Sequence, residues 1–210
     1  MHANKRSFDL AALTWDENPR RIKLNRDIFS AIDQAVHIKP GMPVLDFGCG
    51  TGLLSLQIHE RTGCVTCADS SAGMIEVLES KLKAAGIVSV RAIHLESDDT
   101  DGLPGKYDLI TSAMTFHHIR HVQSLVQKLA GRLNPGGTLC VADLDPDGGE
   151  FHEDNSDVHH HGFTREDMMQ HFSDAGLINL KSATAASVEK RSRSGELKTF
   201  TVFLISGEKS

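Results

Sequence analysis

The sequence predicts an α/β fold, in which helices cover both faces of a doubly wound, mostly parallel, seven-stranded sheet that ends in an antiparallel hairpin. Five short apolar runs, bounded by Gly, Pro, Asp or Ser, have the near-continuous apolar character of strands buried on both faces. Segments with helical spacing of apolar residues separate several of these runs, and this alternation implies right-handed crossovers between parallel strands. Two further strand-like runs follow, joined by a polar turn, and are expected to pair antiparallel.

The first elements in order are an N-terminal helical arm and the parallel strands. In the arm, apolar residues recur mostly at helical spacing up to Pro40-Gly41. The five parallel strands are expected at Val44–Phe47, Val65–Ala68, Val90–Leu95, Tyr107–Ile110 and Thr138–Ala142. One intervening helix is predicted from about Ser71 to Ala85, where Gly86 stops it. Another has its apolar face from Val122 to Leu133.

The carboxyl-terminal segment changes character. Thr164-Arg165-Glu166-Asp167 has the composition of a capped helix start, and that helix is expected to run to about Ala175. Strands are then predicted over about Leu177–Val188 and Leu197–Ser206, joined by the turn Arg191–Glu196.

Composition bounds the class of protein. The chain has 210 residues, with 22 Lys+Arg against 28 Asp+Glu, which predicts a single domain with one substantial core and argues against bulk nucleic-acid binding. No apolar run approaches the roughly 20 residues of a membrane span, and the start lacks the apolar core of a signal peptide. Four cysteines are too sparse for a disulfide scaffold, so we expect a soluble, cytoplasmic protein.

The strongest chemical signal is the segment VLDFGCGTG, residues 44–52, in which a buried strand runs into three alternating glycines. Glycine permits positive φ and has no Cβ, so a ligand can lie against the backbone at the carboxyl end of this strand. A dinucleotide-binding loop would have its third glycine where Leu53 stands, and Asp46 would repel a pyrophosphate. Asp69 ends the second strand, where a carboxylate can accept both ribose hydroxyls, so the implied ligand is adenosine without phosphates.

Over roughly residues 40–145 the chain resembles the class I S-adenosylmethionine-dependent methyltransferases, because VLDFGCGTG is similar to their first motif and Asp69 lies at their ribose-binding position. The resemblance implies a Rossmann-like fold and S-adenosyl-L-methionine as the cofactor. By resemblance, Asp46 and the Gly48–Gly52 backbone hold the methionine portion. Either Glu96 or Asp98 corresponds to the family's adenine-binding acid, and a solvated acidic loop is the alternative. Met74 packs on adenine or is an ordinary core residue. The full predicted cofactor set is Asp46, Gly48, Cys49, Gly50, Thr51, Gly52, Asp69, Ser70, Met74, Glu96, Ser97, Asp98, Ser112 and Ala113.

The methyl acceptor is expected beside the end of the fourth strand. A hydroxyl acceptor needs a base, and His117 is the candidate catalytic residue, with packing and capping as its alternative role. Amine, thiol and carbanion acceptors need no catalytic side chain. Candidate substrate contacts are Trp15, Met114, His118 and His152.

Three further features have more than one interpretation. The N-terminal segment Phe8–Arg21 resembles arms that close over the cofactor; the alternatives are acceptor binding by Trp15 with the adjacent arginines and a surface arm packed through Trp15. The loop after the fifth strand carries Asp143, Asp145, Asp147, His152 and three consecutive histidines. A polar lid is preferred there over direct substrate contact or a metal site, so no metal ligand is assigned. Cys64 and Cys67 match C-x-x-C, but residues three apart on a strand point to opposite faces, which favours structural cysteines.

These expectations combine into one preferred function. The chain is predicted to be a single methyltransferase domain that acts on a small molecule. Its parts are the arm (1–40), the cofactor-binding core (41–145), the lid loop (146–163) and the final helix and hairpin (164–210). The alternatives are methylation of a protein side chain and a cofactor-binding partner subunit without turnover. A nicotinamide oxidoreductase is disfavoured by Leu53 and Asp46.

Overall fold

The computed structural model of the protein describes residues 8–95 and 100–210, and in these residues one seven-stranded sheet forms the centre of the fold. The strands are β1 (Val44–Phe47), β2 (Val65–Asp69), β3 (Val90–His94), β4 (Tyr107–Ala113), β5 (Leu133–Leu144), β6 (Leu177–Arg191) and β7 (Leu197–Lys209). The helices are α1 (Pro19–Val36), α2 (Leu53–Thr62), α3 (Ala72–Ala85), α4 (Val122–Gly131) and α5 (Arg165–Asp174), with 3-10 helices at Ala12–Glu17 and Phe116–His118.

The strand order β3-β2-β1-β4-β5-β7-β6 confirms the predicted doubly wound sheet. The first five strands pair parallel, and the order reverses between β1 and β4. β7 then pairs antiparallel with both β5 and β6, which confirms the C-terminal hairpin. The carboxyl ends of the five parallel strands therefore meet at one edge, and the loops that leave this edge can build a ligand site.

Two apolar clusters lie on opposite faces of the sheet. Leu24, Ile28 and Leu78 represent the face covered by α1, α2 and α3. On the other face, α4 and α5 contribute residues such as Val126 and Phe172. Because both faces are covered, the sequences of the strands are nearly continuous apolar runs rather than alternating apolar and polar residues.

The helix predicted through Leu133 is shorter than expected. α4 ends at Gly131, and Leu133 is the buried first residue of β5, where it pairs with Tyr107. Leu133 continues the apolar spacing of Leu125 and Leu129, so periodicity alone cannot separate the end of the helix from the start of the strand. The two hairpin strands are also longer than predicted, because their pairing extends from Leu177 with Lys209 to Arg191 with Leu197.

Among residues 8–95 and 100–210, no helix has both the length and the apolar character that crossing a membrane requires.

Candidate functional site

The glycine loop between β1 and α2 has its three alternating glycines in the left-handed region. The φ values of Gly48, Gly50 and Gly52 are 73°, 53° and 84°. A Cβ on Gly48 would lie 2.3 Å from the Oγ1 of Thr115, so the loop needs glycine there to pack against the end of β4. A Cβ on Gly50 would meet nothing closer than the Sδ of Met74 at 3.9 Å. The backbone at Gly50 is therefore open to a ligand.

Asp69, at the end of β2, lies directly beside this loop. Its Oδ2 accepts a hydrogen bond from the backbone N–H of Gly50 at 2.8 Å, and its Oδ1 accepts one from the N–H of Ser71 at 2.8 Å. Burial raises the pKa of Asp69, and these backbone donors oppose that rise. Asp69 as a residue is only partly buried, and its carboxylate is held in place by backbone donors at the mouth of the loop.

Asp46, at position three of β1, lies beneath the loop. Both of its carboxylate oxygens accept hydrogen bonds, one from the hydroxyl of Ser55 in α2 and one from the hydroxyl of Thr111 in β4 at 2.8 Å. Burial raises its pKa to about 6. In this arrangement Asp46 supports the loop from below, and a direct contact with a cofactor stays a prediction.

The other predicted cofactor residues lie around the loop or outside the described part. Cys49 and Met74 are buried, and Ala113 is partly buried at the end of β4. Ser112 is buried with a hydroxyl that has no hydrogen-bond partner in the part of the chain described. The carbonyl of Ser70 lies 3.2 Å from the Nε2 of His94. Glu96, Ser97 and Asp98, the predicted adenine contacts, lie outside the described residues.

The C-x-x-C pair does not form a disulfide. Cys67 is buried and Cys64 is partly buried, and both are free thiols.

The N-terminal arm contacts the start of α3 through Asp9. The Oδ1 of Asp9 accepts hydrogen bonds from the hydroxyl of Ser71 and from the backbone N–H of Gly73, the latter at 2.9 Å. A Cβ on Gly73 would lie 2.8 Å from the Cα of Asp9, so the arm depends on glycine for this approach. Nothing in the sequence near Asp9 indicated this contact.

Asp16 fixes the arm at a second point, on the glycine loop itself. One oxygen of its carboxylate accepts a hydrogen bond from the hydroxyl of Thr51, and the other pairs with the Nζ of Lys81 at 2.7 Å. Lys81 also donates to the carbonyl oxygen of Thr51. The predicted cofactor residue Thr51 therefore lies under the arm, and the sequence had indicated this region only through the W-D-E-N-P segment.

Aromatic contacts connect the arm to the residues that follow β4. Phe8 makes edge contacts with Trp15, with ring centroids 5.9 Å apart, and with His118, at 5.1 Å. The guanidinium of Arg21 lies 3.7 Å from the centroid of the Trp15 ring. Of the predicted substrate contacts, Trp15 and His118 are thus joined through one intermediate ring.

Met114 directly follows β4, three residues before His117. It is partly buried, and its φ of 55° is unusual for a residue with a side chain. Its backbone N–H donates to the carbonyl of Ala142 at 2.8 Å. Such a conformation is found mainly where surrounding structure fixes it, often at functional sites.

Three histidines meet beside Met114. His117 is 1% exposed, and its Nδ1 donates to the buried carboxylate of Asp143 at 2.7 Å. The Nε2 of His117 lies 3.1 Å from the Nε2 of His152, and the Nδ1 of His118 donates to the carbonyl of Asp157 at 2.7 Å. His117, the predicted base, is oriented by Asp143, is buried, and has His152 against its Nε2. A catalytic role for His117 stays a prediction.

Two histidines of the cluster, His118 and His152, favour the neutral imidazole. Burial, with the charge of the neighbouring His117 as the next contribution, lowers the pKa of His118 to about 4 and that of His152 to about 3. Burial alone would raise the pKa of Asp143, but the charge and hydrogen bond of His117, together with the backbone N–H of Leu144, hold that pKa below its usual value.

The loop over residues 145–163 crosses the same edge of the sheet. Its acids do not converge: Asp145 forms a two-bond ion pair with Arg165, with both bonds at 2.8 Å, and Asp147 accepts from the backbone N–H groups of Gly149 and Phe151. The consecutive histidines contact the cluster through their backbone, since the N–H groups of His159 and His160 donate to the carbonyl of His117, and the ring of His160 contacts the carbonyl of Ile119. The loop instead brings His152 to the site.

A lysine and an aromatic ring beside His152 were not predicted from the sequence. Lys190, in β6, donates to the carbonyl of Phe151 at 2.7 Å, and its Nζ lies 4.6 Å from the centroid of that ring. Burial lowers the pKa of Lys190, the negative charge of Glu153 opposes this, and the nearby Arg20 and Arg21 lower the pKa further. Positive charges from the N-terminal segment and from the hairpin thus approach one another here, with Glu153 beside them. The long separation in sequence leaves no local signal of this contact.

The chain is similar in sequence to known methyltransferases. A family model described as a methyltransferase domain matches residues 44–137. An uncharacterised methyltransferase of Schizosaccharomyces pombe is 35% identical over 156 residues, which are 67% of this chain and 55% of that protein. A ubiquinone biosynthesis O-methyltransferase of Dechloromonas aromatica is 33% identical over 141 residues, 65% of this chain and 60% of that protein. The chain therefore spans little more than half the length of these curated relatives.

Solved structures share the fold at low sequence identity. Phosphoethanolamine N-methyltransferase 2 of Haemonchus contortus, in complex with S-adenosyl-L-methionine, superposes with a TM-score of 0.72 at 15% identity. The match covers 88% of this chain and 52% of that chain.

Proposed function

Because the chain belongs to the class I S-adenosylmethionine-dependent methyltransferase superfamily, we propose that it transfers the methyl group of S-adenosyl-L-methionine to a small-molecule acceptor. The observation that carries this proposal is the Asp69 carboxylate, held by the N–H of Gly50 beside an open stretch of glycine backbone. This arrangement suits a ribose and an uncharged linkage, because the carboxylates of Asp46 and Asp69 at the loop would repel a phosphate.

The cofactor residues fit an adenosine-type ligand in three respects. Asp69 would accept the ribose hydroxyls, the Gly48–Gly52 backbone would contact the methionine portion, and Met74 would pack against the base. When bound, S-adenosyl-L-methionine supplies a methyl group already activated on a sulfonium centre. The protein then has mainly to align the acceptor and to exclude water, and alignment of this kind contributes about 7–11 kcal/mol.

The covering of the site favours a small acceptor. The arm lies against the glycine loop through Asp16, and the 145–163 loop brings Phe151 and His152 over the end of β4. Trp15, Arg21 and Lys190 add aromatic and positively charged surface, which suits a small aromatic or anionic molecule better than an extended polypeptide. Two similar proteins have names that refer to small molecules, ubiquinone and phosphoethanolamine.

Calorimetric titration with S-adenosylhomocysteine tests the cofactor assignment. We expect micromolar binding by the wild-type protein, no binding of NADH, and a loss of about 1–3 kcal/mol of binding free energy in Asp69→Ala, because charged hydrogen bonds are removed. Asp108→Ala is the matched control. Asp108 lies at the start of β4, whereas the candidate site lies at the carboxyl end of the parallel strands, and its carboxylate accepts a hydrogen bond from Asn134.

Two results would contradict the proposal at different levels. Unchanged affinity in a folded Asp69→Ala protein would overturn the ribose assignment alone. Absence of S-adenosylhomocysteine binding by the folded wild type would overturn the cofactor itself. With binding established, transfer of labelled methyl to pooled small molecules, compared with transfer to pooled proteins, decides the acceptor class.

A further inference from the structure

We propose that His117, His118 and His152 form a binding site for a Zn²⁺ ion. Each of the three residues offers one ligand atom, and these atoms all lie within 4.8 Å of one another. The three side chains come from two separate elements, the short helix after β4 and the loop after β5. This site goes beyond the proposed methyl transfer, and binding of the ion does not depend on it.

The spacing of the ring nitrogens fits tetrahedral zinc. Zn–N bonds of about 2.0–2.1 Å at tetrahedral angles place two ligand nitrogens roughly 3.3 Å apart. The Nε2 atoms of His117 and His152 are 3.1 Å apart, which is close to that separation, and the ligand atom of His118 lies within 4.8 Å of the other two. Two nitrogens are therefore already at the spacing for zinc, and a further approach of His118 completes the set of three.

The second nitrogen of two of these rings is held in the manner expected of metal ligands. The Nδ1 of His117 donates to the Asp143 carboxylate, and the Nδ1 of His118 donates to the carbonyl of Asp157. Zinc-binding histidines characteristically donate their other N–H to a carboxylate or a backbone carbonyl, which fixes the tautomer and aims the free nitrogen at the ion. If His117 and His118 served only for packing at the start of a helix, neither ring would need a hydrogen-bond acceptor for its Nδ1.

The ligand types select the ion. Three imidazoles suit zinc and related transition ions, whereas Mg²⁺ and Ca²⁺ require oxygen ligands. The nearest carboxylate, Asp143, is already used by His117 and by the backbone N–H of Leu144. Three protein ligands leave a fourth position for water or for a bound molecule, as in catalytic rather than structural zinc sites.

The test is titration of chelator-stripped full-length protein with Zn²⁺, followed by Co²⁺ substitution. We expect one equivalent of zinc per chain and a Co²⁺ spectrum with the visible bands of a low-coordinate nitrogen site. His152→Ala and His118→Ala should each weaken binding by about 100-fold or more, since a ligand is lost. His159→Ala is the matched control, because His159 lies in the same loop with an exposed side chain.

Each outcome decides the proposal. Absence of zinc binding by the folded wild type, or unchanged affinity in both His152→Ala and the milder His152→Asn, would overturn it. Loss of binding in His159→Ala with retention in His152→Ala would place the ion on the consecutive histidines instead, which also overturns it. Circular dichroism and S-adenosylhomocysteine affinity on the same samples separate a failure of this site from a failure of the fold or of the cofactor assignment.

Discussion

Asp46 is a single residue whose surroundings set both its charge and the shape of the cofactor loop. Its carboxylate joins the start of α2, through Ser55, to β4, through Thr111. Burial is the main reason that its pKa rises to about 6, and the nearby Asp69 adds to the rise. The folded protein therefore holds a proton on Asp46 more tightly than the unfolded chain does. Its contribution to stability is fully present below about pH 4 and is lost as the pH rises through about 6.

Asp46→Asn should consequently change the pH dependence of stability. Relative to wild type, the variant should gain about 1–3 kcal/mol of unfolding free energy between pH 4.5 and pH 7.0, because it removes a buried group that ionises unfavourably. Urea unfolding at the two pH values measures this difference. Glu79→Gln, which removes an exposed negative charge from α3, should show no comparable change. A difference between Asp46→Asn and wild type that is the same at both pH values would contradict the assignment.

At the scale of elements, the contact between the N-terminal arm and α3 determines how the arm covers the predicted cofactor-binding loop. The backbone of Asp9 lies so close to Gly73 that a Cβ would approach its carbonyl oxygen to 2.9 Å. Gly73 has no left-handed φ, so its role is to leave space for the arm rather than to form a turn. Gly73 is the second residue of α3, so the space that it leaves lies at the start of the helix, where the arm makes its contact.

Gly73→Ala should therefore weaken both the arm contact and cofactor binding. We expect the unfolding free energy to fall by about 1 kcal/mol, the cost of one charge-assisted contact, and S-adenosylhomocysteine affinity to fall roughly 3- to 10-fold, because the arm is displaced from α3. Gly131→Ala at the end of α4 is the control, since a Cβ there meets nothing within 4 Å. Equal affinities in Gly73→Ala, Gly131→Ala and wild type would show that the arm does not cover the bound cofactor.

At the scale of the whole molecule, the site is shared among distant parts of the chain. The ends of β1, β2, β4 and β5 lie at one edge of the sheet, and the arm and the 145–163 loop close over that edge. A ligand bound there contacts elements that pack on both faces of the sheet. Its binding free energy should therefore appear in the stability of the whole fold rather than in one segment.

S-adenosylhomocysteine should raise the melting temperature of the protein. A concentration about 100 times the dissociation constant stabilises by about 2.7 kcal/mol, which for this size of domain corresponds to roughly 5–10 °C. Scanning calorimetry or a dye-based melting assay measures the shift, with NADH as the negative control. Asp69→Ala should lose most of the shift at the same concentration. A comparable shift with NADH would argue against an adenosine site without phosphates.

Local features of the sequence were enough for the sheet and for the cofactor loop. β1 was predicted at Val44–Phe47 as observed, and Ser71 and Gly86 flank α3 as expected. These features depend on neighbours in the chain: apolar spacing decides the element, and glycine decides where φ can be positive. The same locality explains the error at Leu133, whose spacing fits a helix although its partner is Tyr107 in β4.

The partners of the site residues were decided by the tertiary structure alone. The sequence raised a metal site in the loop after β5, but Asp145 is held by Arg165 and Asp147 by its own turn, so those acids never meet. The cluster forms instead from His117, His118 and His152, and Asp143 orients it. The contacts of Asp9 with Ser71 and of His117 with His152 join residues 62 and 35 positions apart. Such contacts depend on the order of the strands in the sheet and on the paths of the loops across its edge. No local sequence pattern specifies either of these.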